Sequence, residues 1–252
     1  MSAASEFGSI GPLLPDAMRL MIRDEVDSTN DEVRRLAAIG YGDGTVVIAD
    51  RQTAGRGRRG AAWVCPPGES LAFSVLVRPA EPKALWPRLA LAAGLAVAEA
   101  LEIHGVSAGI KWPNDVWVEG KKICGVLVEA GGDFAIIGIG VNVNVAGFPE
   151  DLVATATSLL LETGEAASRS DVLAEVLRRL DLRRHQIGAD FSRLVDAVRN
   201  RCVLTGKHIR LLAADGPREG FCEGIGSGGE LLVSRDGVVE RILQADEVRI
   251  LD

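Results

Sequence analysis

Apolar positions recur with the periods of strands and helices along most of the chain and predict a mixed α and β domain. A strand with one buried face is predicted by the alternation of four apolar residues, Leu71, Phe73, Val75 and Val77. The Ala- and Leu-rich stretch from about Lys83 to His104 predicts a long core helix, which Gly105 ends. Shorter helices are predicted from Ser28 or Thr29 to Gly40, from a cap at Ser170 through Leu173 to His185, and around Phe191–Arg199.

The remaining patterns predict hairpins and a second, smaller β unit. A buried strand at Val46–Ala49 and antiparallel hairpins between Gly109 and Asn142 would complete the main sheet. After Gly206, Asp-Gly and Gly-Gly turns separate short strands at Ile209–Leu212, Phe221–Ile225, Leu231–Ser234, Val238–Leu243 and Val248–Leu251. Their density predicts a small appended barrel. The expected fold class is α+β: a mixed, mainly antiparallel sheet with packed helices, plus a small C-terminal β-barrel.

Composition and charge narrow the classes of function. The chain has 252 residues and a formal net charge of −7, which argues against a general nucleic-acid binder. Its cysteines are scattered without metal-ligand spacing, so they are expected to be reduced and packed, with no metal site: Cys65, Cys124, Cys202 and Cys222. No signal peptide is visible, and the apolar run Leu89–Ala98 is too short to span a bilayer. A cytoplasmic protein without membrane contact is expected.

The segment Gly55–Gly60 concentrates three glycines and three arginines directly after the predicted strand at Val46–Ala49. Adjacent cations repel one another and glycines resist ordering, so the segment is expected to be mobile until an anion binds. Guanidinium groups and backbone N–H groups near glycine bind phosphate oxygens, which favours a lid over a phosphate-bearing ligand. Alone, the segment is equally typical of a solvated basic loop. It also matches the dinucleotide-binding pattern, but Pro66 and Pro67 follow instead of a helix, and the pattern recurs at 224–229.

Two further clusters carry candidate chemistry. The residue before a proline is pushed toward an extended conformation, so Lys111 and Trp112 should end a strand ahead of Pro113. A lysine in such semi-apolar surroundings is costly unless a ligand anion pairs with it, although strand-edge lysines that extend to solvent are common. The third cluster, 138–144, places glycines within a predicted strand, which often marks close approach of a ligand. Taken alone, that cluster fits a plain hairpin better.

Taken in chain order, these segments resemble biotin protein ligases. The resemblance is carried by Ser28-Thr29-Asn30, Gln52–Gly60 with Trp63, Lys111–Asp115, Lys122 with Gly125 and Glu129, and Gly138–Asn142. It spans roughly residues 25 to 145, and the C-terminal β unit is also similar to that family's. It implies a class II synthetase-like, biotin–lipoate ligase catalytic fold over residues 21–203, after a lead-in at 1–20 that is flexible or a short strand. An SH3-like barrel would follow over 204–252.

The resemblance implies a ligase that uses biotin and ATP with Mg²⁺. The biotin carboxylate would attack the α-phosphate of ATP, giving biotinyl-5′-AMP and pyrophosphate. A lysine of a biotin carboxyl carrier domain would then take biotin and release AMP. Because neither step needs an enzyme nucleophile, positioning and charge stabilisation would suffice, and a lid would keep water from the anhydride.

The resemblance also implies roles for individual residues. Biotin would contact Ser28, Thr29, Asn30, Gln52, Gly55, Arg56, Gly57, Arg58, Lys111 and Gly125. The nucleotide would contact Arg56, Arg58, Trp63, Lys111, Asn114, Lys122 and Asn142. The expected catalytic residues are Lys111 and Arg58, with Lys111 bridging the biotin carboxylate and the α-phosphate. Asp115 would orient the incoming acceptor lysine.

Other interpretations compete with this one. A lipoate ligase or octanoyl transferase shares the fold, but the arginine-rich loop and Lys111–Asp115 resemble the biotin branch. A non-catalytic biotin or nucleotide sensor could dispense with Lys111 and Arg58, and a nucleic-acid binder conflicts with the acidic balance. Many bacterial relatives carry an N-terminal winged helix and repress biotin operons. The lead-in leaves no room for that domain, so DNA binding is not expected. Homodimers are common among such ligases, so the resemblance is compatible with a homodimer.

Overall fold

The structure is a computed structural model that describes residues 3–213 and 216–251. The α-helices of these residues are α1 (Ala3–Phe7), α2 (Thr29–Ala38), α3 (Arg88–Ile103), α4 (Leu159–Thr163), α5 (Arg169–Arg184) and α6 (Phe191–Arg199). The strands of the first part of the chain are β1 (Arg19–Val26), β2 (Thr45–Gln52), β3 (Ser70–Val77), β4 (Gly109–Lys111), β5 (Asp115–Val118), β6 (Lys121–Ala130) and β7 (Ala135–Asn142). The strands of the C-terminal part are β8 (His208–Ala213), β9 (Gly216–Ile225), β10 (Leu231–Arg235), β11 (Val238–Ile242) and β12 (Glu247–Ile250).

The first seven strands form one sheet in the order β1-β2-β3-β7-β6-β5-β4. Strands β1 and β2 run parallel, because α2 carries the chain back between them. The other neighbours pair antiparallel through hairpins and longer loops. The mixed, mainly antiparallel sheet expected from the sequence is therefore confirmed.

The two faces of this sheet are covered differently. On one face the alternating residues of β3 pack into the main core with α3 and α5, as their pattern predicts. On the other face α2 packs over β2, β3 and β7 through a smaller cluster that includes Val33, Leu36, Val47, Leu76 and Ile136. Helix α2 has ten residues and leaves part of this face uncovered. The strands β3, β6 and β7 carry small residues there, which leaves space above the sheet: Ala72, Gly125, Gly138 and Gly140.

Two helix boundaries differ from the sequence prediction. Helix α3 begins at Arg88 instead of about Lys83, because Pro87 occupies its N-cap and a separate 3₁₀ turn covers Lys83–Leu85. The cap of α5 is Ser168, whose Oγ accepts a hydrogen bond from the Asp171 N–H at 3.2 Å. Ser170 was the expected cap, but it lies inside the first turn of the helix, since α5 starts at Arg169.

The N-terminal segment also differs from the expected lead-in. It contains the short helix α1, whose Phe7 is fully buried, and the following Ile10 is buried as well. The guanidinium of Arg169 holds this segment to the sheet, because it binds Glu6 and also lies 2.9 Å from an Asp50 oxygen in β2. Helix α1 has five residues, too few to show a helical period in the sequence.

The C-terminal strands form a second sheet in the order β11-β10-β9-β8-β12, with antiparallel pairing. All five strands appear where the turns predicted them, although β9 starts at Gly216. Closure into a barrel and the domain boundaries at 20 and 203 stay predictions. Residues 214, 215 and 252 of the expected barrel, and residues 1 and 2 of the lead-in, lie outside the described residues. Within the described ranges, every helix is too short or too polar to cross a bilayer.

Candidate active site

A cavity of about 200 Å³ lies on the sheet face beside α2. Its floor is formed by the small residues of β3, β6 and β7 described above. Its walls include most of the expected site residues: Ser28, Thr29, Asn30, Gln52, Arg56, Gly57, Arg58, Trp63, Asn114, Asp115, Lys122 and Gly125. The structure thus brings together segments separated by up to about a hundred residues. Gly55, Lys111 and Asn142 are not among the lining residues.

One end of the cavity is polar because the N-terminus of α2 opens onto it. Ser28 is the N-cap residue, yet its side chain makes no capping hydrogen bond within the described part of the chain. Its hydroxyl is therefore available to bind a ligand at the cavity wall. Helix capping by the side chain does not account for this serine. The backbone N–H of Thr29 donates to Gln52 Oε1 at 2.8 Å, and its Oγ1 donates to the same atom at 3.1 Å.

Beneath this end, a buried hydrogen-bond network fixes the polar side chains. The hydroxyl of Ser74 in β3 is 2.6 Å from Asn30 Oδ1 and 2.7 Å from Thr29 Oγ1. Asn30 in turn requires a glycine below it, since a Cβ at Gly138 would lie 2.3 Å from Asn30 Oδ1. Such a network is worth most when every member is satisfied, and it orders the donors and acceptors that face the cavity.

The glycine- and arginine-rich loop folds as a small hairpin over the cavity. The Gly57 N–H donates to the Ala61 carbonyl at 2.7 Å, and the Trp63 N–H donates to the Gly55 carbonyl at 3.0 Å. The tip is tight, because Arg59 adopts a left-handed conformation with φ of 57°. Gly55 stands at the base of this hairpin, where a Cβ would come within 2.6 Å of the Trp63 carbonyl oxygen. Gly55 therefore allows the two arms of the loop to approach each other closely.

Two arginines of the hairpin are held by specific partners. Arg56 binds Asp31 of α2 and Glu129 of β6, and the Asp31 hydrogen bond is the main reason why the pKa of Arg56 is raised. The pKa of Asp31 is lowered, chiefly by the same hydrogen bond. Arg58 donates to Asn114 Oδ1 at 3.0 Å and to the Ala245 carbonyl, and burial lowers its pKa.

Asn114 and the loop between β11 and β12 both hold Arg58. Asn114 is itself fixed, because its Nδ2 donates to the Val126 carbonyl at 2.7 Å. Ala245 precedes Asp246, which lines the cavity and lies 3.5 Å from Arg59. The C-terminal part of the chain therefore supplies one wall of the site, which the sequence did not indicate.

Trp63 and Lys122 stand at the far end of the cavity. The indole of Trp63 lies directly on β7, where a Cβ at Gly140 would be 2.2 Å from its Cε2 atom. Its Nε1 is buried without a hydrogen-bond partner among the described residues. The ammonium of Lys122 lies 2.8 Å from Asp115 Oδ1 and 5.8 Å from the Trp63 ring centroid.

A second, more apolar cavity of about 240 Å³ lies beyond Trp63 and Lys122, and both residues line it too. Its other walls come from the segment around Trp63, from β7 and from the loop that follows β7: Ala62, Val64, Pro66, Asn142, Val145, Gly147, Phe148, Pro149, Leu152, Thr155 and Ala156. This loop is tied to β6, since the Lys122 N–H donates to the Thr155 carbonyl at 2.8 Å. The sequence did not predict that residues 145–156 would line a cavity, because their mixture of Gly, Pro and apolar residues matches no ligand-binding motif.

Lys111 lines neither cavity, and its expected role as the bridging lysine stays a prediction. In the sheet it lies opposite Asp115, one strand further from the cavity. Its ammonium stacks on Trp117, 4.1 Å from the ring centroid, and burial lowers its pKa. Lys122 is therefore the lysine whose side chain lines both cavities.

Comparison with known proteins agrees with this geometry. Residues 24–144 match the model of the biotin/lipoate A/B protein ligase family. The chain is 37% identical over 193 residues to the biotin–acetyl-CoA-carboxylase ligase of Mycobacterium tuberculosis, covering 74% of this chain and 72% of the relative. It is 33% identical to the corresponding ligase of Paracoccus denitrificans, covering 88% of this chain and 96% of the relative. The structure of biotin protein ligase from Aquifex aeolicus in complex with biotin and ATP is 36% identical, with a TM-score of 0.84, and the match covers 92% of this chain and 99% of that one.

Proposed function

The chain belongs to the biotin protein ligases, and we propose that its two adjoining cavities hold biotin and ATP side by side. It is an ATP-dependent ligase that activates biotin and attaches it to an acceptor protein. The observation that carries the assignment of the cavities is their shared wall, since Trp63 and Lys122 line both. Two substrates bound on either side of this wall would meet beside the Lys122 ammonium.

Biotin fits the cavity beside α2. The polar end, with the Ser28 hydroxyl and the Gln52 amide, would bind the polar head of biotin. The floor of Ala and Gly residues leaves room for the apolar tail, which would run toward Trp63. Arg56 and Arg58 would close over the bound molecule, as the resemblance to biotin protein ligases implies. The carboxylate at the end of the tail would then lie near Lys122.

ATP fits the second cavity. Its apolar walls would hold the adenine against Trp63, and Asn142 contributes a polar group at one side. The α-phosphate would face Lys122 at the shared wall, with Arg58 and Asn114 on the side of the biotin cavity. Mg²⁺ would enter with the triphosphate, because phosphate oxygens and water supply most of its ligands. Asp115 and Asp246, which line the adjoining biotin cavity, are carboxylates that would suit such a hard cation.

The chemistry then requires only positioning and charge. A biotin carboxylate oxygen attacks the α-phosphorus, the bond to the β-phosphate oxygen breaks, and pyrophosphate leaves. Lys122 and Arg58 offset the negative charge that gathers when a carboxylate meets a triphosphate. The amine of the acceptor lysine, having lost its proton, then attacks the acyl carbon and AMP leaves. Asp115 lies 2.8 Å from Lys122 and is suited to orient that amine.

The acceptor would be a biotin carboxyl carrier domain of a biotin-dependent carboxylase. This assignment rests on the likeness to ligases of acetyl-CoA carboxylase. The expected cytoplasmic location and homodimer stay predictions, as does the absence of DNA binding. Lys111 stays a predicted catalytic residue, but the geometry favours Lys122 for contact with both substrates.

Biotin-dependent exchange of labelled pyrophosphate into ATP tests this assignment. We expect exchange with biotin and none with lipoate. Removal of one group that stabilises transition-state charge typically reduces the rate constant by about 10²–10³-fold. We expect that loss in Lys122→Ala and a smaller one in Lys111→Ala. Equal exchange with lipoate would overturn the biotin assignment, and a larger loss in the Lys111 variant would restore Lys111 as the bridging residue.

A further inference from the structure

An unbroken chain of side-chain hydrogen bonds crosses beneath the polar end of the biotin cavity, with Ser74 of β3 at its centre. The Ser74 hydroxyl is 2.6 Å from Asn30 Oδ1 and 2.7 Å from Thr29 Oγ1. On one side, Thr29 Oγ1 continues the chain to Gln52 Oε1 at 3.1 Å. On the other side, Asn30 Nδ2 continues it to Glu129 Oε2 at 2.8 Å. Ser74 is fully buried and does not line the cavity, so it can affect a ligand only through its neighbours.

The carboxylate of Glu129 gives this chain a direction. A carboxylate that pairs with two arginines accepts hydrogen bonds and donates none. Asn30 must therefore turn Nδ2 toward Glu129 and Oδ1 toward Ser74. The single hydrogen of the Ser74 hydroxyl is donated to that Oδ1, which leaves Ser74 Oγ to accept from the Thr29 hydroxyl. The Thr29 hydrogen thus lies between Ser74 Oγ and Gln52 Oε1, in a shared hydrogen bond.

This direction determines what the polar end can offer to a ligand. The one hydrogen of the Thr29 hydroxyl is used within the protein, so Thr29 can only accept from a bound molecule. Gln52 turns Oε1 toward the Thr29 N–H at 2.8 Å, and its Nε2, which has no acceptor among the described residues, is available to donate. Both residues line the cavity. The head of biotin is a cyclic urea, whose N–H groups and carbonyl oxygen are the complementary set.

We propose that Ser74 is a positioning residue for biotin, a role that rests on the proposed assignment of the biotin cavity. It carries the direction set by Glu129 to Thr29 and holds the Thr29 hydroxyl as an acceptor for the ligand. Without the Ser74 hydroxyl, the buried Asn30 Oδ1 loses its donor and the Thr29 hydroxyl loses its nearer acceptor. A buried polar group left unpaired is costly, so both side chains would reorient at the cavity wall.

Ser70 provides an internal contrast on the same strand. Ser70 and Ser74 are both fully buried, and they lie on the same face of β3 because side chains alternate along a strand. The Ser70 hydroxyl, however, has no hydrogen-bond partner among the described residues. Ser70→Ala therefore removes a buried hydroxyl from this face of the sheet and leaves the chain intact.

Biotin-dependent pyrophosphate exchange by the full-length chain tests the proposal through the KM for each substrate. In Ser74→Ala we expect KM for biotin to rise about tenfold, the effect of losing one hydrogen bond from the network. KM for ATP and the maximal exchange rate should stay within about twofold of the wild type, because the polar end contacts only biotin. In Ser70→Ala, all three constants should stay within about twofold of the wild type.

A double-mutant cycle separates the hydrogen-bond chain from local packing. Independent losses multiply, so Ser74→Ala combined with Glu129→Gln would raise KM for biotin about 100-fold if the two residues acted separately. Because both belong to one chain, we expect the double variant to stay within about threefold of the larger single effect. Ser70→Ala combined with Glu129→Gln should show only the effect of Glu129→Gln.

The outcomes distinguish this inference from the proposed function. Absence of biotin-dependent exchange in the wild type would overturn the biotin assignment itself. With exchange present, multiplied losses in the double variant would overturn the role of Ser74 alone. So would an unchanged KM for biotin in Ser74→Ala, because a serine that only stabilised the fold would lower the unfolding temperature and leave that constant as it was.

Ser74→Cys keeps the inference testable if Ser74→Ala does not fold. The thiol has a similar size but is a weaker donor, so KM for biotin should rise at least about threefold, and less than in Ser74→Ala. A wild-type KM for biotin in folded Ser74→Cys would overturn the proposal.

Discussion

The guanidinium of Arg56 lies 3.2 Å from the carboxylate of Glu129, although 73 residues separate them in the chain. The same carboxylate accepts from Asn30 Nδ2 at 2.8 Å and pairs with Arg34 at 3.0 Å. Glu129 thus joins the hairpin loop, helix α2 and strand β6. It does not itself line the cavity, so its effect on bound biotin must act through Arg56 and Asn30.

Replacing Glu129 with Gln should weaken biotin binding more than catalysis. The Gln side chain has nearly the same shape as Glu, but it offers only one acceptor oxygen. Its NH₂ group would face the donor groups that Glu129 now accepts from. Hydrogen bonds to charged groups contribute about 1.5–3 kcal/mol, so we expect KM for biotin to rise about tenfold or more while KM for ATP changes little. Steady-state kinetics of adenylate formation measures both constants. Glu150→Gln, at an exposed position, is the matched control, and equal kinetics in the two variants would show that Glu129 does not position Arg56.

Replacing Gly140 with Ala should displace Trp63. The new Cβ would lie 2.2 Å from the indole Cε2, which no neighbouring atom can relieve without moving the ring. Because Trp63 lines both cavities, we expect at least about tenfold losses in affinity for both substrates, the scale of a misplaced positioning group. Calorimetric titration with biotin and with ATP measures the change. Gly132→Ala, where a Cβ meets nothing within 4 Å, should bind both normally, and normal binding by the Gly140 variant would refute the close packing.

The sequence predicted the sheet well because strand patterns are local signals, whereas the glycine cluster of β7, taken alone, fitted a plain hairpin better. The alternation in β3 and the glycines of β7 were both visible. The register of three strands was not visible in the sequence, although it determines where the two lysines lie relative to the cavity floor. Lys111 pairs with Asp115, which pairs with Gly125 of β6, so Lys111 lies two strands from the cavity floor. Contacts such as that of Arg58 with Ala245, which are 187 residues apart, follow from tertiary packing and leave no sequence pattern.

Lys111 should also reveal its position through the pH dependence of stability. Burial lowers its pKa in the folded state, so the folded protein binds fewer protons than the unfolded chain between the two pKa values. Stability of the wild type should therefore rise with pH through this window, which lies between the lowered pKa and that of an ordinary lysine. In Lys111→Met this contribution disappears. Urea unfolding at several alkaline pH values measures the difference between the slopes, with Lys207→Met at an exposed position as the control. Parallel curves for Lys111→Met and the wild type would contradict the burial.

The two neighbouring arginines of the hairpin should behave differently. Arg58 is half-buried between Asn114 and the Ala245 carbonyl, and it lines the cavity beside α2. Arg59 is at the exposed tip, and its contact is an ion pair with Asp246 at 3.5 Å.

In Arg58→Ala the adenylate-forming rate should fall by about 100-fold, because a desolvated charge beside the phosphates is lost. Biotinyl-5′-AMP should also hydrolyse faster, since the hairpin loses the hydrogen bond from Arg58 to the Ala245 carbonyl and admits water more readily. Arg59→Ala removes an exposed pair worth about 0.2–1 kcal/mol and should change the rate by less than about fivefold. Rapid-quench measurement of pyrophosphate release gives the first rate, and AMP release without acceptor gives the second. If both variants lost activity equally, the hairpin would act through its overall charge, and the specific position of Arg58 would have no special part in catalysis.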